Sequence, residues 1–193
     1  MTDACHMLLC TGGSRSGKSS YAQQWAENRA TSRLFIATAY VCDGEMAERI
    51  DRHRKDRGQG WSTLEISSVL WKEPENMLSA VEAFSPGVIL FDCLTLYTSL
   101  CLCEGFSEEE TLVKISRLFA TLRAVHCPVA VVTNEVGMGL VPTTAEGRAW
   151  RDTLGRVNQF AAAEADSVVF LVSGLPLVIK GQSPDYRPSC AVP

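Results

Sequence analysis

Gly12-Gly13-Ser14-Arg15-Ser16-Gly17-Lys18-Ser19 follows the apolar run Met7–Thr11 and precedes a helical pattern from about Lys18 to Ala30. Its spacing, Gly-x-x-x-x-Gly-Lys-Ser, satisfies the phosphate-loop (P-loop) pattern in full. The glycines let the backbone turn sharply, so that successive N–H groups converge on one phosphate cluster. A helix beginning near Lys18 adds the partial positive charge of its N-terminus. Lys18 is then expected to reach the β- and γ-phosphates of a nucleoside triphosphate, and the Ser19 hydroxyl to ligate Mg²⁺. Short glycine motifs also match by chance, and the strand before and helix after are what separate a phosphate loop from such a match. Arg15 is either a further phosphate contact or a plain surface residue.

Outward from the loop, strand-like and helical patterns alternate. Leu34–Thr38 and Thr63–Ile66 read as strands, and Pro74–Phe84 as a helix that stops at Ser85-Pro86-Gly87. Val88–Asp92 and Val129–Thr133 are continuous apolar runs, as expected of strands buried on both faces of a parallel sheet. Ser107-Glu108-Glu109-Glu110 is a capping box, and the helix it opens carries Leu112, Ile115, Leu118, Phe119 and Leu122 at helical spacing. Thr143-Thr144-Ala145-Glu146 reads as a second box, opening a helix to about Ala165. Val168–Val172 and Leu177–Ile179 read as last strands, parted by a Ser173-Gly174-Leu175-Pro176 turn. This alternation predicts an α/β fold with a mostly parallel sheet flanked by helices on both faces.

With 193 residues, 46% of them hydrophobic and 21% charged, the composition is that of one soluble globular domain. A net charge of −4 argues against a dedicated nucleic-acid binder. The eight cysteines include no Cys-x-x-Cys pair, and Cys101-Leu102-Cys103 reads as packing, so free thiols in a reducing cytosol are expected. Met1 to His6 lacks the basic and apolar parts of a signal peptide, and no apolar run approaches the ~18 residues of a membrane span. A cytoplasmic protein is expected.

Asp92 ends an apolar strand, the place from which a carboxylate holds the nucleotide's Mg²⁺; an ordinary strand-end acid is the alternative. Asp43–Arg57 reads as a strongly charged helix with Asp43 as N-cap. Glu45, Arg49, His53 and Arg57 fall on one stripe, with Met46 and Ile50 on its edge. From spacing alone, a solvated helix with an incidental histidine is favoured. The other reading is a triphosphate-binding strip in which the arginines disfavour the imidazolium, so that His53 can attack phosphorus. His6 and His126 read as structural or surface residues.

Beyond these patterns, specific runs stand in a fixed order. They are Phe35–Ala39, Asp43–Arg54, Trp61–Glu65, Thr133-Asn134-Glu135-Val136-Gly137-Met138-Gly139-Leu140-Val141-Pro142, Arg151–Gln159 and Val172–Gly174, together with the P-loop. In these the chain resembles the bifunctional adenosylcobinamide kinase / adenosylcobinamide-phosphate guanylyltransferases of cobalamin biosynthesis, over nearly its whole length except the tail. The Asn-Glu-Val-Gly-Met-Gly and Gly-Arg-Val-Asn-Gln runs are far more specific than a P-loop.

The resemblance implies a P-loop (RecA-like) catalytic domain over residues 1–180 and a homo-oligomer, a trimer being the form it suggests. The tail at 181–193 departs from the family's ending and is expected to be flexible from its Pro, Ser and Gly content. It implies GTP and ATP as substrates beside adenosylcobinamide and adenosylcobinamide phosphate. It implies that His53 becomes covalently guanylylated. Nucleotide contacts are implied from Gly12, Gly13, Ser14, Arg15, Ser16, Gly17, Lys18 and Ser19, from Ala37, Thr38 and Ala39, from Arg54, Lys55, Asp56 and Arg57, and from Glu65 and Asp92. Position 92 is usually Glu in the family and is Asp here, one methylene shorter. Asn134, Glu135 and Arg156 are the candidates for gripping the corrinoid. Two other classes compete: a small-molecule kinase without nucleotidyl transfer, and a non-catalytic nucleotide-binding module.

Overall fold

A computed structural model describes residues 6–38, 58–66 and 72–181. The predicted charged helix at 43–57, with His53, Arg54, Lys55, Asp56 and Arg57, lies outside the described residues, as do Ala39 and the tail from 182.

The elements run β1 (Met7–Gly12), α1 (Lys18–Glu27), β2 (Arg33–Ala37), β3 (Trp61–Glu65), α2 (Asn76–Glu82), β4 (Val88–Asp92), α3 (Leu94–Cys103), α4 (Glu108–Ala124), β5 (Val129–Val132), α5 (Ala145–Glu164), β6 (Ser167–Val172) and β7 (Leu175–Lys180). Seven strands form one sheet in the order β3-β2-β4-β5-β1-β6-β7. Every neighbouring pair is parallel except β6 and β7, an antiparallel hairpin at the edge.

The period-two alternation of strand side chains divides the sheet's apolar residues between two cores. On one face Leu8, Cys10, Leu90, Ala130, Val132 and Leu171 meet Tyr21, Ala22, Trp25 and Ala26 of α1. On the other, Met7, Leu9, Ile36, Phe91 and Val131 meet Met77 of α2, Tyr97 of α3, Leu118 and Phe119 of α4, and Val157 and Ala161 of α5. The central strands β1 and β5 are buried at every position, which is why they read as unbroken apolar runs. The edge strand β7 alternates instead, and leaves Leu175, Leu177 and Ile179 exposed.

Local signals are realised with differences at several bounds: β3 spans Trp61–Glu65 where 63–66 was expected, and α2 is shorter than the helix expected over 74–84. The α4 box forms as expected, with the Ser107 hydroxyl accepting from the Glu110 amide and the Glu110 carboxylate from the Ser107 amide. The second box does not form at Thr143: Thr144 is the cap, its hydroxyl accepting from the Gly147 amide at 3.1 Å. Arg148 donates to the carbonyls of Pro142 and Thr143, which keeps Thr143 in the approach to the helix and moves its start by one residue. The predicted four-residue turn between the last strands is only Ser173-Gly174, both at positive φ, a pair that suits a two-residue hairpin. Leu175 and Pro176 belong to β7, where an edge position tolerates a proline. Helix α1 ends at Glu27, before the predicted Ala30, and α3 is a helix the sequence pattern did not mark.

All five described cysteines are free thiols, and three of them, Cys10, Cys101 and Cys127, are buried. Among the described residues no helix is long and apolar enough to cross a membrane.

Candidate active site

The parallel strands bring their carboxyl ends to one edge of the sheet, and the candidate residues collect there. Register places Glu65, Ala37 and Asp92 abreast at the ends of β3, β2 and β4. Asp92 stands beside Val132 at the end of β5, and β5 adjoins β1, which runs directly into Gly12. In such sheets ligands bind outside this edge.

The P-loop is a close-packed backbone turn. Gly12 has φ 151°, and a Cβ there would meet the Leu171 carbonyl oxygen at 2.5 Å and Ser16 Oγ at 2.8 Å. Gly17, at φ 96°, occupies the left-handed region and caps α1. A Cβ on it would lie 3.2 Å from the Gly174 Cα, and the Gly174 amide donates to the Ser16 carbonyl at 3.0 Å. The β6–β7 turn therefore backs the loop on one side. Gly13, Ser14 and Arg15 are exposed, with Arg15 also at positive φ (55°).

Lys18 is buried, and its Nζ reaches back to the Gly13 carbonyl at 2.6 Å, across the mouth of the loop. Helix α1 opens with no side-chain cap and no acidic residue in its first turn, whereas α4 and α5 have both. The positive end of its dipole is thus left to act on an anion from outside the helix. Ser19, half-buried, lies in that first turn.

Thr38 serves the neighbouring strand. Its hydroxyl accepts from the Cys93 amide at 2.6 Å and donates to the Cys93 carbonyl at 2.8 Å, while its own amide donates to the Asp92 carbonyl at 3.1 Å. These bonds fix the chain where it leaves β4, and with it the root of the Asp92 side chain. The adjacent Cys93 thiol is pushed up to about 12, chiefly by burial and further by the Asp92 charge. It stays protonated near neutrality, which removes it as a nucleophile beside the site.

The third wall is the turn after β5. The Glu135 amide donates to the Gly12 carbonyl at 2.9 Å, tying this turn to the first residue of the P-loop. Thr95 of α3, Thr133 and Asn158 of α5 gather under it, and none of the three stood among the candidates from sequence. Asn158 lay within the Gly-Arg-Val-Asn-Gln run, and its position on the buried side of an amphipathic helix was the available signal. Arg156, which was a candidate, points elsewhere: it is largely exposed and pairs with Glu108 at 3.1 Å at the start of α4.

The oxygen donors Ser19 and Asp92 suit a hard, small cation such as Mg²⁺. Among the described residues there is no cluster of three or more His, Cys, Asp or Glu side chains that would form an all-protein metal cage.

A family model described as cobinamide kinase / cobinamide phosphate guanyltransferase matches residues 8–179. The bifunctional adenosylcobalamin biosynthesis protein CobU of Escherichia coli is 37% identical over 187 residues, covering 90% of this chain and 99% of that protein. The protein of the same name from Salmonella typhimurium is 37% identical over 185 residues, covering 90% and 99%. The bifunctional protein CobP of Pseudomonas aeruginosa is 36% identical over 181 residues, covering 90% and 97%. Among solved structures, a KaiC-like protein of Pyrococcus horikoshii superposes with a TM-score of 0.56 at 13% identity, over 95% of this chain and 82% of that one. That last likeness concerns the fold alone.

Proposed function

The chain belongs to the cobinamide kinase / cobinamide phosphate guanyltransferase family, and from that premise we propose how its residues divide the two reactions. Residues 1–180 act as one catalytic domain in the cytoplasm, and the nucleotide occupies the carboxyl edge of the sheet. The observation that carries this reading is the cradle of Gly12 to Ser19: a backbone with no room for a side chain at position 12, leading into a helix with no side-chain cap.

In the kinase step the aminopropanol hydroxyl of adenosylcobinamide attacks the γ-phosphorus of ATP or GTP. The bond to the β-γ bridging oxygen breaks, and the nucleoside diphosphate leaves. So loose a transition state requires alignment and charge neutralisation more than covalent help. The Lys18 ammonium and the loop amides, with Ser14, Arg15 and Ser16 around them, meet the phosphate oxygens. The Ser19 hydroxyl and the Asp92 carboxylate would hold Mg²⁺, whose chemistry there is to neutralise the β- and γ-phosphate charge. Asp92 is carried on a strand end fastened by Thr38, Ala37 and Glu65 line the same edge, and Ala39 joins them in contacting the nucleotide.

In the guanylyl step an imidazole nitrogen of His53 attacks the α-phosphorus of GTP. The bond to the bridging oxygen breaks, pyrophosphate leaves, and a phosphoramidate forms. A phosphate oxygen of adenosylcobinamide phosphate then displaces His53 and yields adenosylcobinamide-GDP. Covalent catalysis divides one transfer between two anions into two easier steps. Arg54, Lys55, Asp56 and Arg57 accompany His53 in contacting the triphosphate.

A homo-oligomer, of which a trimer is one form, accords with the apolar side chains left exposed on the hairpin: Val172, Leu175, Leu177 and Ile179.

Incubation with GTP and Mg²⁺ followed by intact-protein mass measurement tests the guanylyl reading. A GMP adduct is expected on the wild-type chain and none on His53→Asn, with kinase activity retained in the variant. Labelling that persists in His53→Asn would sink the assignment. A wild-type chain with kinase activity and no adduct would be a single-activity kinase.

A further inference from the structure

We propose that Asn158 is a positioning residue for the phosphoryl acceptor, acting through a closed ring of hydrogen bonds that holds the Asn134–Glu135 turn against the P-loop. The inference rests on the reading of this site as a kinase of adenosylcobinamide.

The ring starts and ends on one residue. The Asn134 amide donates to Thr95 Oγ1 at 2.8 Å. Thr133 Oγ1 donates to Asn158 Oδ1 at 2.7 Å, and Asn158 Nδ2 donates to the Asn134 carbonyl at 2.9 Å. That leaves the Thr95 hydroxyl as the donor across the remaining 3.3 Å to Thr133 Oγ1. Every bond then runs in the same sense, which favours mutual polarisation. All three side chains are buried, with Thr133 at 0% exposure.

The sheet explains why the ring is needed. Val129, Thr133 and Glu135 donate their amides to the β1 side, to the carbonyls of His6, Cys10 and Gly12. By the alternation of a parallel ladder, the amide and carbonyl of Asn134 face the β4 side. There β4 has its last partner at Asp92, opposite Val132, and the chain turns into α3 at Leu94. Two main-chain polar groups thus lose their strand neighbour where the sheet opens, and side chains from three elements replace it.

Its placement makes the ring a matter of function. The other flank of the P-loop is filled by the β6–β7 turn. Among the described residues, the side of the P-loop that this turn does not back is the β5 side, where the Asn134–Glu135 turn follows β5 and bonds to Gly12. An acceptor approaching the γ-phosphate from there meets it. The ring uses only the backbone of Asn134, and among the described residues its carboxamide makes no hydrogen bond. The Asn134 carboxamide contacts the acceptor, and Asn158 holds it in place without touching substrate.

The experiment measures four variants, Asn134→Ala, Asn158→Ala, Thr133→Val and Thr133→Ser, with adenosylcobinamide and ATP. For the first three, kinase kcat/KM for the acceptor should fall about ten- to a hundredfold, the cost of a small misplacement. Nucleotide affinity by calorimetry, and GMP labelling with GTP (which needs no acceptor), should stay within about twofold of wild type. Thr133→Ser keeps the hydroxyl and should recover most of the loss seen in Thr133→Val. The proposal fails if acceptor kinetics are unchanged in Asn158→Ala, or if nucleotide affinity and labelling fall in parallel, as for a purely structural bond. A wild-type chain that never labels would count against the His53 reading alone, because the acceptor kinetics and nucleotide affinity still decide this one.

Discussion

The turns that leave β1 and β5 lie side by side at one edge of the sheet, joined by a hydrogen bond from the Glu135 amide to the Gly12 carbonyl. They are built from opposite materials. The P-loop takes its shape from its own glycines within eight residues, and side chains matter to it chiefly by being absent. The Asn134 turn takes its shape from side chains of residues 95, 133 and 158, which are far apart in sequence. A loop encoded in its own backbone fails when a side chain is added. A loop encoded by distant side chains fails when one is removed.

Breaking the first kind is expected to have the largest effect. Gly12→Ala forces a Cβ against the Leu171 carbonyl and Ser16 Oγ. Isothermal calorimetry should show nucleotide affinity reduced by about 2–3 kcal/mol or more, and both reactions lost with it. Unaltered affinity would mean that the loop relaxes freely and that its packing against β6 is incidental.

Thr95→Val comes next and addresses the second kind. It keeps the volume of the side chain while leaving the Asn134 amide without its acceptor. Such a loss costs about 1–3 kcal/mol in unfolding free energy, measurable by urea titration, and the nucleotide affinity of the folded enzyme should not follow it. A fall in nucleotide affinity equal to that of Gly12→Ala would erase the distinction between the two turns.

The smallest effect belongs at the opposite, amino-terminal end of β1, as a control on both. Burial would raise the Asp166 carboxyl, but hydrogen bonds from Arg123 and the Met7 amide outweigh it and hold the group below its ordinary 3.8. A carboxyl lowered in the folded state contributes stability fully above its unfolded value, and loses it as pH falls through the folded value. Denaturant midpoints taken downward from about pH 5 should therefore decline below about pH 4, and Asp166→Asn should flatten that decline. A wild-type midpoint that does not change across this range would contradict the assignment.

How much was legible followed the same division. The P-loop, the apolar strands and the Ser107 box are local patterns whose partners lie a few residues away, and each appears where it was read. Helix α3 was missed because Leu96, Leu100 and Leu102 on its half-buried side are as apolar as Leu94, Tyr97 and Cys101 on its buried face, so its sequence carries no amphipathic period. The Thr143 box was misplaced by one residue because Glu146 completes the box pattern for Thr143 alone, whereas the helix is capped by Thr144, whose third residue is Gly147, while Arg148 bonds the carbonyls of Pro142 and Thr143.

By itself the sequence determined the alternating α/β order, the phosphate cradle and the family, since these rest on short-range spacing and on runs long enough to be specific. Only the tertiary structure decided that the β6–β7 turn backs the cradle, that Thr38 fastens the exit of β4, and that Asn158 reaches the turn beyond β5. Those contacts join residues that the parallel topology brings together across crossover connections, and no local period records which strand will lie beside which.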